Sequence, residues 1–146
     1  MVNQQELQRK VNELQALQNE VEVMQEEVNE MEERIQEHED AKETIKEYME
    51  KEEGSEMLVP IGANTYLHAK VTNTEEVLIK LGADISAKRD IEKASEILDR
   101  RQSEIKENKE KLENEIEEIS QEAQELENEV RREYQQLQQQ GQMPQG

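Results

Sequence analysis

The chain has 146 residues, of which 32% are hydrophobic and 38% charged, with no phenylalanine, tryptophan or cysteine and a formal net charge of -19. So little apolar side chain cannot fill a thick globular core, and a field of that sign repels phosphate backbones and anionic lipid, which argues against nucleic acid or membrane as partner. Without cysteine there is neither a disulfide framework nor a thiolate metal site.

The length fits one structural unit. No apolar run approaches the roughly 20 residues of a bilayer span. The opening Met1-Val-Asn-Gln-Gln-Glu lacks the basic lead and apolar stretch of a signal peptide. The expected location is cytoplasmic.

The first predicted element is a helical arm, residues 1–54. One seam position takes Leu7, Leu14, Val21, Val28, Ile35, Lys42 and Met49, and its companion takes Lys10, Leu17, Met24, Met31, His38 and Ile45. A heptad repeat keeps such a stripe on one face of a supercoiled helix, which a merely disordered acidic chain would not show. Val11 widens the stripe near the start, and Gly54 is the expected stop. Lys10 and Lys42 in the seam are read as register or specificity devices, and His38 as a polar break.

Residues 55–89 change from heptads to short alternating segments. Strands are predicted at Met57–Ile61, Thr65–Val71, Val77–Leu81 and Ile85–Lys88, with turns at Gly62-Ala-Asn-Thr and Gly82-Ala-Asp. Pro60 lacks an amide hydrogen and belongs at an edge or bulge. Four such strands are not stable alone, and their open edges and apolar face need a cover. The economical cover is the same head of another subunit. The residues expected to form that oligomerisation surface are Leu58, Val59, Pro60, Ile61 and Gly62 on the first strand, and Leu67 and Val71 on the second. Val77, Ile79, Leu81 and Gly82 on the third and Ile85 on the fourth complete it.

A second helical arm is predicted over 90–138, with Asp90 as its N-cap. Ile91, Leu98, Ile105, Leu112, Ile119 and Leu126 recur by heptads, accompanied by Ser95, Gln102, Lys109, Ile116, Ala123, Val130 and Leu137. Residues 139–146 are expected to form a flexible tail. The two arms pair antiparallel, and registers one heptad apart fit the apolar pattern equally well. The fold class is therefore mainly α: a long antiparallel coiled-coil hairpin with a small central β head of two hairpins that oligomerises.

The elements Leu58-Val-Pro-Ile-Gly-Ala and Val77-Leu-Ile-Lys-Leu-Gly-Ala, set between two equal heptad arms, make the chain resemble the prefoldin (GimC) family. Two hairpins in the head suit its archaeal α-class subunits. The resemblance implies a hexamer of two α and four smaller β-class subunits, whose hairpins form a double β-barrel carrying six coiled coils. It implies an ATP-independent chaperone that captures unfolded polypeptides and delivers them to a group II chaperonin. The expected client-binding residues, exposed if the helix ends fray, are Leu7, Val11, Leu14 and Leu17 on one arm with Val130, Tyr134 and Leu137 on the other. The alternative is a structural adaptor, a stalk whose head merely dimerises. No cofactor is expected, and catalysis is not: the chain has no P-loop, no dinucleotide fingerprint and no zinc-type histidine spacing.

Overall fold

The computed structural model describes residues 3–141. The chain runs α1 (Gln4–Met49), β1 (Glu56–Gly62), β2 (Thr65–Lys70), β3 (Glu76–Lys80), β4 (Ser86–Asp90) and α2 (Ile91–Gly141). It divides into two compact units. A terminal unit joins the chain up to Glu32 with that from Glu107, and a head unit spans Glu33–Lys106. None of the described helices is long and apolar enough to cross a membrane.

In the head unit α1 stops at Met49, short of the glycine where the sequence suggested a stop. Its last turn tightens, with the Glu50 amide donating to the Glu47 carbonyl at 3.3 Å and that of Lys51 to Tyr48 at 3.2 Å. Gly54 instead opens the first hairpin. With φ at +89° it takes a backbone conformation that a Cβ disfavours, and its amide donates to the Val71 carbonyl at 2.6 Å.

β1 and β2 pair antiparallel, setting Glu56 opposite Lys70, Leu58 opposite His68 and Val59 opposite Leu67. The register shifts between Pro60 and Gly62, so the proline sits at a bulge. Ala63 and Asn64 both have positive φ, 50° and 56°. This is the backbone a tight two-residue hairpin turn requires, because its twist matches that of the flanking strands.

β3 and β4 form a separate two-stranded sheet, with Val77 opposite Arg89 and Ile79 opposite Ala87. Ahead of it, Asn73 Oδ1 accepts from the amides of Glu75 and Glu76 at 2.8 and 3.2 Å, fixing the approach. Asp90 ends β4 and caps α2, its carboxylate accepting from the Lys93 amide at 2.7 Å.

The head core is small. Ile79 packs with Ile97 and Leu98 of α2, and Ala41 and Ile45 of α1 close around them. Arg101 donates from α2 to the Lys80 carbonyl at 2.6 Å, tying β3 to the helix. Ala94 and Val71 are almost wholly buried.

In the terminal unit α1 begins under an Asn3 cap, whose side-chain oxygen accepts from the Gln5 amide at 2.9 Å. The heptad frame holds on both helices: Leu7, Val28 and Ala123 are buried, and Leu14, Val21, Leu112, Ile119, Leu126 and Leu137 are half-buried. Helix α2 continues through Gly141, past the point where the tail was expected to begin. The rest of that expected tail, 142–146, lies outside the described residues.

Candidate functional site

The hairpins of the head unit leave large apolar side chains uncovered. Cross-strand pairing puts Val59 and Leu67 on one face of the first hairpin, and Leu58, Pro60, Tyr66 and His68 on the other. Leu58, Val59, Ile61, Tyr66 and Leu67 are all exposed. On the second hairpin Ile79 turns inward, while Leu78 between its neighbours is 70% exposed, and Leu81 and Ile85 flank the turn in the open. Scattered single leucines on a surface are ordinary, but eight large apolar groups within two hairpins are not. Both two-stranded sheets also keep open edges, whose backbone groups are templates for further pairing.

These positions sort the residues singled out from sequence. Leu58, Val59, Pro60, Ile61, Gly62, Leu67, Leu81, Gly82 and Ile85 are exposed. Val77 is half-buried, whereas Val71 is 1% exposed and Ile79 8%. Their own chain already covers those last two, so they support the hairpins from beneath. Two exposed apolar residues were missed, Tyr66 and Leu78. For Leu78 the pattern is silent, since Val77-Leu-Ile is apolar on both strand faces and does not say which face points outward.

In the terminal unit, the residues expected at frayed ends sit within a closed seam. Leu7 is buried, and Val11, Leu14, Leu17, Val130 and Leu137 are half-buried. Only Tyr134 of that set is open, at 56%. Helical structure reaches from Gln4 and to Gly141, so this state presents no frayed apolar tip.

Charge interrupts the terminal seam at two places. Lys10 donates to Glu129 at 2.7 Å and Glu133 at 2.5 Å, two carboxylates one turn apart on the facing helix. The hydrogen bond to Glu129, then that to Glu133, raises the Lys10 pKa above the ordinary lysine value. Lys10 in turn lowers that of Glu129. Lys109 reaches Glu32 at 3.3 Å and Glu113 at 3.5 Å.

The head unit has a third charged position, and it is richer. Lys42 donates to Asp99 at 2.8 Å and to Gln102 Oε1 at 2.7 Å, and lies 3.1 Å from Glu39. Gln102, 4% exposed, spends its amide on the Ile35 carbonyl and on Glu39. A buried amide so completely matched penalises any shift that would strip its partners.

These pairs resolve the register that apolar residues left open. In the terminal unit, sliding α2 by one heptad one way would set Gln136 and Gln140 against Lys10. Sliding it the other way would put Glu122 and Leu126 against Lys10 and leave Lys109 facing Gln25 in place of Glu32. In the head unit the first slide would confront Lys42 with Lys106 and Lys109. The observed alignment gives each seam lysine an acidic partner across the interface.

Against known proteins, a family profile described as Prefoldin subunit matches residues 17–136. Prefoldin subunit alpha of Methanopyrus kandleri is 42% identical over 102 residues, which is 70% of this chain and 65% of that protein. That of Methanothrix thermoacetophila is 39% identical over 59 residues, 40% of this chain and 39% of its own length. The matched stretch thus spans less than two thirds of either relative. A cryo-EM structure of filamentous PFD from Methanocaldococcus jannaschii superposes with a TM-score of 0.71 at 24% identity, covering 81% of this chain and 98% of that one. At that identity the likeness speaks for the fold.

Proposed function

The chain belongs to the prefoldin family, and from that premise we propose that it is an α-class subunit of an ATP-independent chaperone that holds unfolded polypeptides and hands them to a group II chaperonin. The observation that carries this reading is the apolar surface of the hairpins, with Leu58, Ile61, Leu67, Leu78 and Ile85 uncovered by their own chain. Burying each such side chain is worth about 1.5–3 kcal/mol, enough for a few of them to drive stable association. The partners are a second copy of this chain and the smaller β-class subunits, assembled as two α and four β. The protein works without catalysis, and its place is the cytoplasm.

Client holding falls to the terminal unit. Opening its seam would offer Leu7, Val11, Leu14 and Leu17 with Val130, Tyr134 and Leu137. Each contact is weak, and several arms binding one client act by avidity while single contacts still release. The acidic surface keeps the open arms soluble and apart.

The assembled complex, given a chemically unfolded test protein and no nucleotide, should suppress its aggregation, and removing residues 1–17 and 126–141 should abolish that suppression while the assembly persists. Unchanged suppression after truncation would remove client binding from the terminal unit. An inert intact complex would favour a structural adaptor.

A further inference from the structure

The three seam lysines are not equivalent. Lys42 belongs to a network in which Asp99, Glu39 and Gln102 are all engaged. Lys10 holds two carboxylates, yet one oxygen of that clasp, Glu133 Oε2, is buried and finds no hydrogen-bonding protein partner among the described residues. A desolvated carboxylate oxygen without a donor makes the closed arrangement costly. Heptad neighbours on both sides are apolar: Leu7 and Leu14 along α1, Leu126 along α2, with Val130 and Leu137 beside Glu133. A single charged layer, imperfectly satisfied, therefore lies among the side chains assigned above to client holding.

We propose that the Lys10–Glu129–Glu133 clasp is a latch that sets how readily the terminal seam opens. Closed, its ammonium joins the helices across the interface at 2.7 and 2.5 Å. Opened, each charge regains water, and Leu7, Val11, Val130 and Leu137 become available together. Glu129 is about half exposed, so dissolved salt reaches the clasp and weakens it. The purpose of the latch rests on the client-holding reading. Its opening does not.

Two variants separate the possibilities. Lys10→Met leaves two carboxylates facing an apolar seam with no cation between them. The triple variant Lys10→Met, Glu129→Gln, Glu133→Leu replaces the charged layer by a packed one. Amide hydrogen exchange on the full chain, without client, should quicken about tenfold at 4–17 and 126–137 in the single variant, because an unpaired buried charge opposes closure. The same amides should slow in the triple variant, with 91–106 unchanged in both. Raising salt should quicken exchange in the parent chain and leave the triple variant unmoved. Equal rates in all three chains, or a triple variant exchanging as fast as the single, would overturn the latch. Suppression of aggregation by the same chains should rise in the single variant and fall in the triple. If exchange moves as expected and suppression does not, the latch stands and the client-holding role of the terminal unit fails.

Discussion

The hairpins of the head unit and the paired helices of the terminal unit both rely on a few leucines, isoleucines and valines, and they use them in opposite ways. The terminal unit turns its apolar side chains inward, against each other, and shows the solvent a polar helical surface. The head unit keeps only a small core around Ile79, Ile97 and Leu98 and leaves Leu58, Ile61, Leu67, Leu78 and Ile85 outside. A coiled coil can close its seam with one partner helix, and the chain supplies both. A two-stranded hairpin has two faces and two edges, and the helices here cover one face of the second. The chain leaves the remaining faces without a cover of their own, which is the ground for the proposal that the head assembles while the terminal unit opens.

Replacing Leu78 by Glu should break that contrast most sharply. A charge in place of an exposed leucine costs the folded chain little, but buried at an interface it should weaken assembly by at least about a hundredfold. Native mass spectrometry would then find the chain unassembled, with its helical circular dichroism intact. Next in size, Ile97→Ala removes a side chain from the head core and should cost about 2–5 kcal/mol in chemical denaturation, whereas Leu7→Ala near the chain start should cost about 2 kcal/mol or less. Equal losses at both positions would erase the distinction between the units.

Gln102→Ala should cost about 1–3 kcal/mol, since it removes the buried amide's bonds to Lys42, Glu39 and the Ile35 carbonyl. Gly in place of Ala63 should stabilise the first hairpin by about 1 kcal/mol, because an L side chain is disfavoured at its φ of 50°. A thermal melt that moves the wrong way at either position would contradict the bonding described.

The smallest effect is on pH dependence. Glu39 is held below the ordinary 4.5 by its hydrogen bond from Gln102 first and Lys42 second, and Glu129 by Lys10. A lowered carboxylate contributes stability above 4.5 and loses it as pH falls through the lowered value. Raised lysines contribute below 10.5 and lose it only as pH climbs through their raised values. The melting temperature should therefore be flat near neutrality and decline on the acid side. Lys10→Met should remove the Glu129 share of that decline.

The helices were legible because a heptad stripe needs only two positions in seven, and Leu7 to Met49 and Ile91 to Leu137 supply them with few gaps. Asp90 as cap and Pro60 at a bulge followed from single-residue chemistry. Register was not legible from the apolar residues, which tolerate a slip of one heptad. It lay in Lys10, Lys42 and Lys109, whose partners sit across the interface rather than nearby in sequence. The inner and outer faces of β3 were equally hidden, because Val77, Leu78 and Ile79 are all apolar and alternation vanishes. That left Ile79 assigned to the interface and Leu78 overlooked. Gly54 misled for a related reason: its positive φ serves the entry to a hairpin as well as it would serve a helix end.

The division of labour between head and terminal unit is tested most directly by hydrogen exchange on the assembled complex, with and without a saturating unfolded polypeptide. New protection at 7–17 and 130–137, with 56–90 unchanged, is the predicted result. Protection appearing in the hairpins instead, or nowhere, would contradict it.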